Sequence, residues 1–281
     1  MQNNTLLSLL LIILYGCSEG IDIVPDSNFP IDGIIRVSAE SANPATRAGI
    51  DSSGDLSQFR LFIKNPNNSR YSYNNIEIRK EGEGFTAYQD GAPLTMYWQN
   101  SLSEVSIVSS TLPINDLSLP LNISVTSDQS TPEGIKSSDF LYFKSDRFIP
   151  EADLVNGKIP IRFTHMCVRL ICTVTLSGNY STIDEVTISG ASLNGIFNFT
   201  EGRWMEALDS SPGTIVPYKV SELPLTGGSE KKITYECILI PQTVNRLDIE
   251  LVIDNRHFNF HTPQSLILEN NSSYELPINI N

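Results

Sequence analysis

The chain has 281 residues, with 19 Lys and Arg against 32 Asp and Glu and a formal charge of −13. That balance excludes a protein that tracks nucleic-acid phosphates and one held to anionic lipid by charge. The length suits one large domain or two ordinary ones.

From Leu6 to Tyr15 the chain is apolar except for Ser8. The run falls short of the roughly 20 apolar residues needed to span a bilayer and matches the apolar core of a signal peptide. It ends in Leu14-Tyr15-Gly16-Cys17. A small residue before a cysteine, after an apolar stretch, is similar to a lipobox. Residues 1–16 are therefore expected to be a signal peptide. Cys17 is the expected lipid-bearing residue, diacylated with palmitate-like chains, and residues 17–30 a lipidated tether. The leader lacks Lys and Arg in Met1-Gln2-Asn3-Asn4, and Tyr15 is bulkier than usual at its position. The acidic balance favours solubility outside the cell.

Beyond the tether the pattern is β throughout. Alternating or β-branched segments recur at Ile34–Ala39, Phe59–Lys64, Glu104–Ser109, Ile159–Leu176, Glu185–Ser189, Lys232–Ile240, Leu247–Ile253, His257–Thr262 and Tyr274–Ile280. Clusters of Asn, Asp, Gly, Pro and Ser separate them. Leu154–Gly157 and Gln264–Leu268 could each form a single helical turn, and no longer amphipathic helix is expected. Many short strands between turn signals predict β-sandwiches, and at this length two in tandem. The Pro- and Gly-containing stretch Asp146–Lys158 marks the expected boundary, giving an N-terminal sandwich over 31–157 and a C-terminal one over 158–281. Ile159–Leu176 exceeds the usual strand length, so it should bulge or bend. In its second half Val168, Leu170, Cys172, Val174 and Leu176 share one face and should line a core.

Three cysteines follow Cys17: Cys167, Cys172 and Cys237. Cys167 and Cys172 are five apart, on opposite faces of a regular strand and too distant to bridge. A bridge from either to Cys237 stays open, beside the simpler reading of three small buried apolar groups. No Cys/His spacing suggests zinc. His257 and His261 share one face of a strand about 13 Å apart, too far to share a metal. No GxSxG, HExxH, P-loop or GxGxxG motif occurs, so no catalytic residues, metal or cofactor are assigned and the chain does not read as an enzyme. Tyr71, Tyr73, Tyr88, Tyr97 and Trp98 make an aromatic-rich zone. Such a zone serves either a core with cross-strand pairs or a carbohydrate platform.

Several of these segments, in this order, resemble the fimbrillin family of pilus-building lipoproteins. After the first strand comes Ala45-Thr46-Arg47-Ala48, similar to a Thr-Arg-Ala signature. Mid-chain Ile161-Arg162-Phe163-Thr164-His165-Met166 is similar to a Phe-x-His motif opening a long strand. Cys237-Ile238-Leu239-Ile240-Pro241-Gln242 resembles a Leu-Ile-Pro-Gln segment, followed by a hairpin at Asp254-Asn255 and a last strand through Tyr274-Glu275-Leu276.

The resemblance implies two tandem transthyretin-like β-sandwiches and a structural role in a surface pilus or fimbrium, in cell adhesion. The location it implies is the cell outer membrane, as a surface-exposed lipoprotein. It implies cleavage by an Arg-specific protease between Arg47 and Ala48. The cut would release the first strand, with Ile34, Ile35, Val37 and Ala39, and a strand from another pilus subunit would fill the vacated groove. Ser41 to Gly54 is rich in loop residues, a context that suits proteolysis. Ser273–Asn281 ends directly after Ile280, without spare length to donate, which would suit a tip or accessory subunit. Pro277 fits an edge strand. A surface glycan-binding lipoprotein of β-sandwich modules is the alternative, and a lipid-anchored hydrolase a distant third.

Overall fold

The computed structural model describes residues 28–41, 56–177, 180, 182–205, 211–224 and 230–280. Cys17, Arg47 and Ala48 lie outside them. Among the described residues, β-strands dominate and the longest helix has seven residues. The largest sheet has eight strands in the order β1 (Val37–Ser41), β9 (Ile159–His165), β8 (Leu141–Phe148), β6 (Val105–Ser110), β2 (Gln58–Lys64), β3 (Tyr73–Glu81), β4 (Gly84–Gln89) and β5 (Ala92–Pro93). One four-stranded sheet runs β15 (Tyr218–Pro224), β16 (Lys231–Leu239), β10 (Val168–Leu176) and β21 (Ser273–Ile280). Another runs β14 (Pro212–Ile215), β11 (Ile183–Ser192), β18 (Asp248–Ile253) and β19 (Arg256–His261). A three-stranded ribbon, β13 (Arg203–Met205), β12 (Asn194–Asn198) and β7 (Leu121–Ser124), and the pair β17 (Gln242–Val244) and β20 (Leu266–Leu268) complete the set.

The alternation read from the sequence is the alternation of burial. In β10 Val168, Leu170, Cys172, Val174 and Leu176 are all buried, with half-buried residues between them. The β18–β19 hairpin turns at Asp254 and Asn255, both at positive φ (49° and 62°), as a two-residue hairpin turn requires. The long strand expected over Ile159–Leu176 does not merely bend. It breaks at Met166 and Cys167 into β9 and β10, which belong to different sheets. The backbone at the break bonds elsewhere: Met166 N–H donates to Phe140 O (2.8 Å) and Cys167 O accepts from Asn271 N–H (3.2 Å).

Strand pairing crosses the 157/158 division in both directions. β9 pairs with β1 and β8 of the N-terminal sheet, whereas β7 pairs with β12 of the C-terminal half. The turn signals at Asn156 (φ 51°) and Gly157 (φ 72°) belong to the connection between neighbouring strands β8 and β9, not to a linker. The buried apolar residues form two clusters. One centres on Leu61, Ile107, Ile161 and Phe163, the other on Phe140, Leu170, Leu239 and Leu251. β2 serves both, since Leu61 and Ile63 face the first and Phe62 the second. A strand covered on both faces reads as a continuous apolar run rather than an alternation.

Two helical expectations need correction. Leu154–Gly157 forms no helix, because the turn of helix lies earlier, at α2 (Pro150–Asp153), with Pro150 at its first position. Within Gln264–Leu268, residues Leu266–Leu268 are strand β20, paired with β17. The seven-residue α1 (Pro132–Ser138) had no stripe to reveal it, since Ile135 is its one buried apolar residue. It is set by Thr131, whose hydroxyl accepts from Gly134 N–H (3.1 Å), and by Pro132 at its first turn, both favourable at a helix start.

Candidate interaction edge

The N-terminal segment occupies one edge of the large sheet. Ile34 forms an isolated antiparallel bridge with Tyr97. Ile35 N–H donates to Met96 O and Trp98 N–H to Gly33 O, both 2.9 Å. From Val37 onward the chain turns to a different neighbour and runs parallel to β9, in register from Val37 opposite Ile159 to Ser41 opposite Phe163. The strand expected at Ile34–Ala39 is thus present, shifted to Val37–Ser41. Its inward residues Ile35, Val37, Ala39 and Ser41 are buried, while Glu40 is exposed. They rest against Ile159, Ile161 and Phe163 of β9, all 0% exposed.

Among the described residues, the other long edge of β1 carries no strand. It lies across from β4, separated by cavities of 200 and 350 Å³ lined by Ile34–Ala39 on one side and by Gly84, Phe85 and Ala87 on the other. Charged pairs hold the rim. Glu40 and Arg162, opposite each other in the register, form an ion pair of 2.9 Å. The Arg36 guanidinium donates to the Asp32 carboxylate and holds its pKa down at about 2. Both pairs are exposed and contribute little to stability.

At the end of β1 the interior becomes polar. The Ser41 hydroxyl lies 2.9 Å from His165 Nε2, and His165 Nδ1 lies 2.9 Å from Asp139 Oδ1. His165 and Asp139 are sealed, with side chains 0% exposed. His165 closes β9 from inside the protein. A serine, a histidine and an aspartate in this order have the connectivity of a hydrolytic triad. Here the serine is a buried strand residue and the histidine and aspartate side chains are 0% exposed, as in a structural hydrogen-bond chain. The chain of hydrogen bonds ties β1 to the end of β9 and to the corner between α1 and β8.

The C-terminal strand β21 forms an edge of a different kind. It too runs parallel to its neighbour, β10, but in register over eight residues, from Arg169 opposite Ser273 to Leu176 opposite Ile280. Bonds from Arg169 N–H to Ser272 O and from Ser177 N–H to Ile280 O, each 2.9 Å, extend the ladder at both ends. Pro277 is exposed on this edge, where its missing N–H is tolerated.

The remaining candidates do not converge. Trp98 is buried and stacked on Phe148 (5.9 Å between centroids). The Tyr73 hydroxyl is engaged by the Tyr97 backbone, and Tyr88 bonds Glu81 beneath the Arg79 guanidinium, 4.3 Å from its ring. Trp204 donates to Met166 O (2.6 Å) and packs on Phe197. The aromatic zone therefore makes no single platform. His257 bonds Glu250 (2.8 Å) on the exposed face of β19, and His261 is exposed on the same strand. Among the described residues no group of three or more His, Cys, Asp or Glu could hold a metal ion. Cys167, Cys172 and Cys237 are buried and in no disulfide. Burial pushes Cys172 up to about 12 and Cys237 higher still, so neither is a ready nucleophile. No bridge to Cys237 exists.

The fold and this edge define an all-β protein whose N-terminal and C-terminal strands both lie parallel at sheet edges, one held by five register pairs and one by eight. The chain belongs to the fimbrillin-like family, whose model matches residues 46–281. Its fold is similar to a candidate cell adhesion protein of Bacteroides uniformis, at 19% identity and a TM-score of 0.59, covering 90% of this chain and 94% of the other. It is also similar to one from Bacteroides ovatus, at 14% identity and a TM-score of 0.62, covering 88% and 91%. No curated protein matches the sequence.

Proposed function

We propose that this chain is a structural and adhesion subunit of a surface pilus, assembled by exchange of the edge strand β1. The observation that carries this is the construction of that edge. β1 is short and, among the described residues, is an edge strand with no neighbour on its other side, with Ala39 and Ser41 among its inward residues. Its neighbour β9 presents the buried apolar side chains of Ile159, Ile161 and Phe163, with His165 at the end of the same face. Removal of β1 would bare that face and a row of backbone donors and acceptors, which an incoming strand satisfies together. The family match supports the reading too, since it begins one residue before Arg47 and leaves β1 outside.

In this account the signal peptide and Cys17 deliver the chain to the outer membrane, and an Arg-specific protease cuts between Arg47 and Ala48. The cut separates the lipid and β1 from the body together. β21 is fully engaged in its own sheet, and this supports a tip or accessory position rather than a stalk subunit with a strand to give. N-terminal sequencing of protein from the cell surface should begin at Ala48, and adding the Arg-specific protease should produce ladders that resist mild heating in detergent. A chain that retains lipidated Cys17 and forms no ladder would contradict the proposal.

A further inference from the structure

We propose that the Ser41–His165–Asp139 chain selects which strand occupies the β1 edge, admitting a strand whose hydroxyl side chain, opposite Phe163 in the register, reaches His165 Nε2. This rests on the strand-exchange reading and adds the chemistry of the partner. His165 and Asp139 belong to the body of the protein, whereas Ser41 leaves with β1. Without Ser41 the body keeps a buried imidazole whose Nε2 has lost its partner. The Asp139 carboxylate accepts from Nδ1–H, so Nε2 is an acceptor that needs a donor. A hydroxyl supplies one, and it can also accept should the ring carry both protons. Alanine or valine can do neither, and a buried polar atom without a partner weakens binding by roughly tenfold to a hundredfold.

The register adds a second condition. Ala39 lies opposite Ile161 and is buried, so the position two before the hydroxyl is occupied by a small side chain. Val37, one step earlier, is buried opposite Ile159. The fitting strand therefore reads β-branched apolar, any, small, any, hydroxyl. It runs parallel to β9.

The test uses the full chain cut between Arg47 and Ala48, with the cut verified by intact mass. Fluorescent peptides with the sequence of residues 33–43 compete for the edge, carrying Ser, Ala, Thr or Val at position 41. The selection predicts that Ser41→Ala weakens binding by about tenfold or more. Thr should bind more tightly than Val, which has the same shape without the hydroxyl. The substitutions lie in the peptide, so the body's folding is not at issue. If the Ala peptide binds as tightly as the Ser peptide, selection by the buried chain is overturned and strand exchange stands. If no peptide enters the cut protein, strand exchange at this edge fails and the selection with it.

Discussion

β1 and β21 differ in what anchors them, although both are parallel strands at sheet edges. β21 places Leu276, Ile278 and Ile280 along one side, with the last two buried, and the ladder runs its whole length. β1 places Val37, Ala39 and Ser41 inward over five residues. Burying an Ile or Leu side chain fully contributes about 1.5–3 kcal/mol, and an alanine methyl far less. β1 therefore relies less on apolar contact and more on one polar chain at its end. A strand fixed mainly by hydrophobic burial accepts many sequences at a high cost of removal. A strand fixed by a buried hydrogen bond leaves more easily and is replaced more selectively. On the proposed strand exchange, the two edges would act respectively as a closure and a socket.

The largest expected effect breaks the comparison from the β21 side. Truncating the chain after Asn271 removes β21 from beside β10, and the protein should lose its cooperative urea transition and elute as aggregate in gel filtration. Loss of the segment before Arg47 should leave a folded body. Point substitutions sharpen the contrast. Ile278→Ala should cost about 2–5 kcal/mol, read as a lowered urea midpoint, whereas Val37→Ala should cost less. Ser41→Ala in the intact chain should lower stability by about 1–3 kcal/mol, although it removes a single oxygen atom. The smallest effect concerns the rim. The folded-state pKa of Asp32 is depressed, so its pairing with Arg36 contributes above the ordinary carboxylate value and is lost as pH falls through about 2. Arg36→Gln should raise the Asp32 titration, followed by NMR, toward the ordinary value of about 3.9, short of it because Ile34 N–H still donates to the carboxylate.

Much of the fold is legible in the sequence. Period-2 alternation locates β10, β18 and β21 because each buries one face, and Asp254-Asn255 marks its hairpin because both positions need positive φ. Local pattern misleads where burial is two-sided or where contact is remote. The Pro- and Gly-containing stretch before Ile159 has the composition of a linker, yet it joins adjacent strands of one sheet. The break at Met166 has no Gly or Pro to announce it and is set by partners at Phe140 and Asn271. Ser41, Asp139 and His165 are separated by 26 to 124 residues, and nothing local to any of them shows that they meet. Gln129 is similar: it is fully buried and bonds the Ile238 backbone with both ends of its amide (2.8 and 2.9 Å), a pairing that only the folded chain creates.

The most direct test of the socket and closure is native-state hydrogen exchange on the uncut chain, comparing the amides of Val37–Ser41 with those of Ser273–Ile280. β1 should open locally, exchanging well before global unfolding, while β21 exchanges only with the core. Equal protection of the two strands, or earlier exchange from β21, would contradict the account.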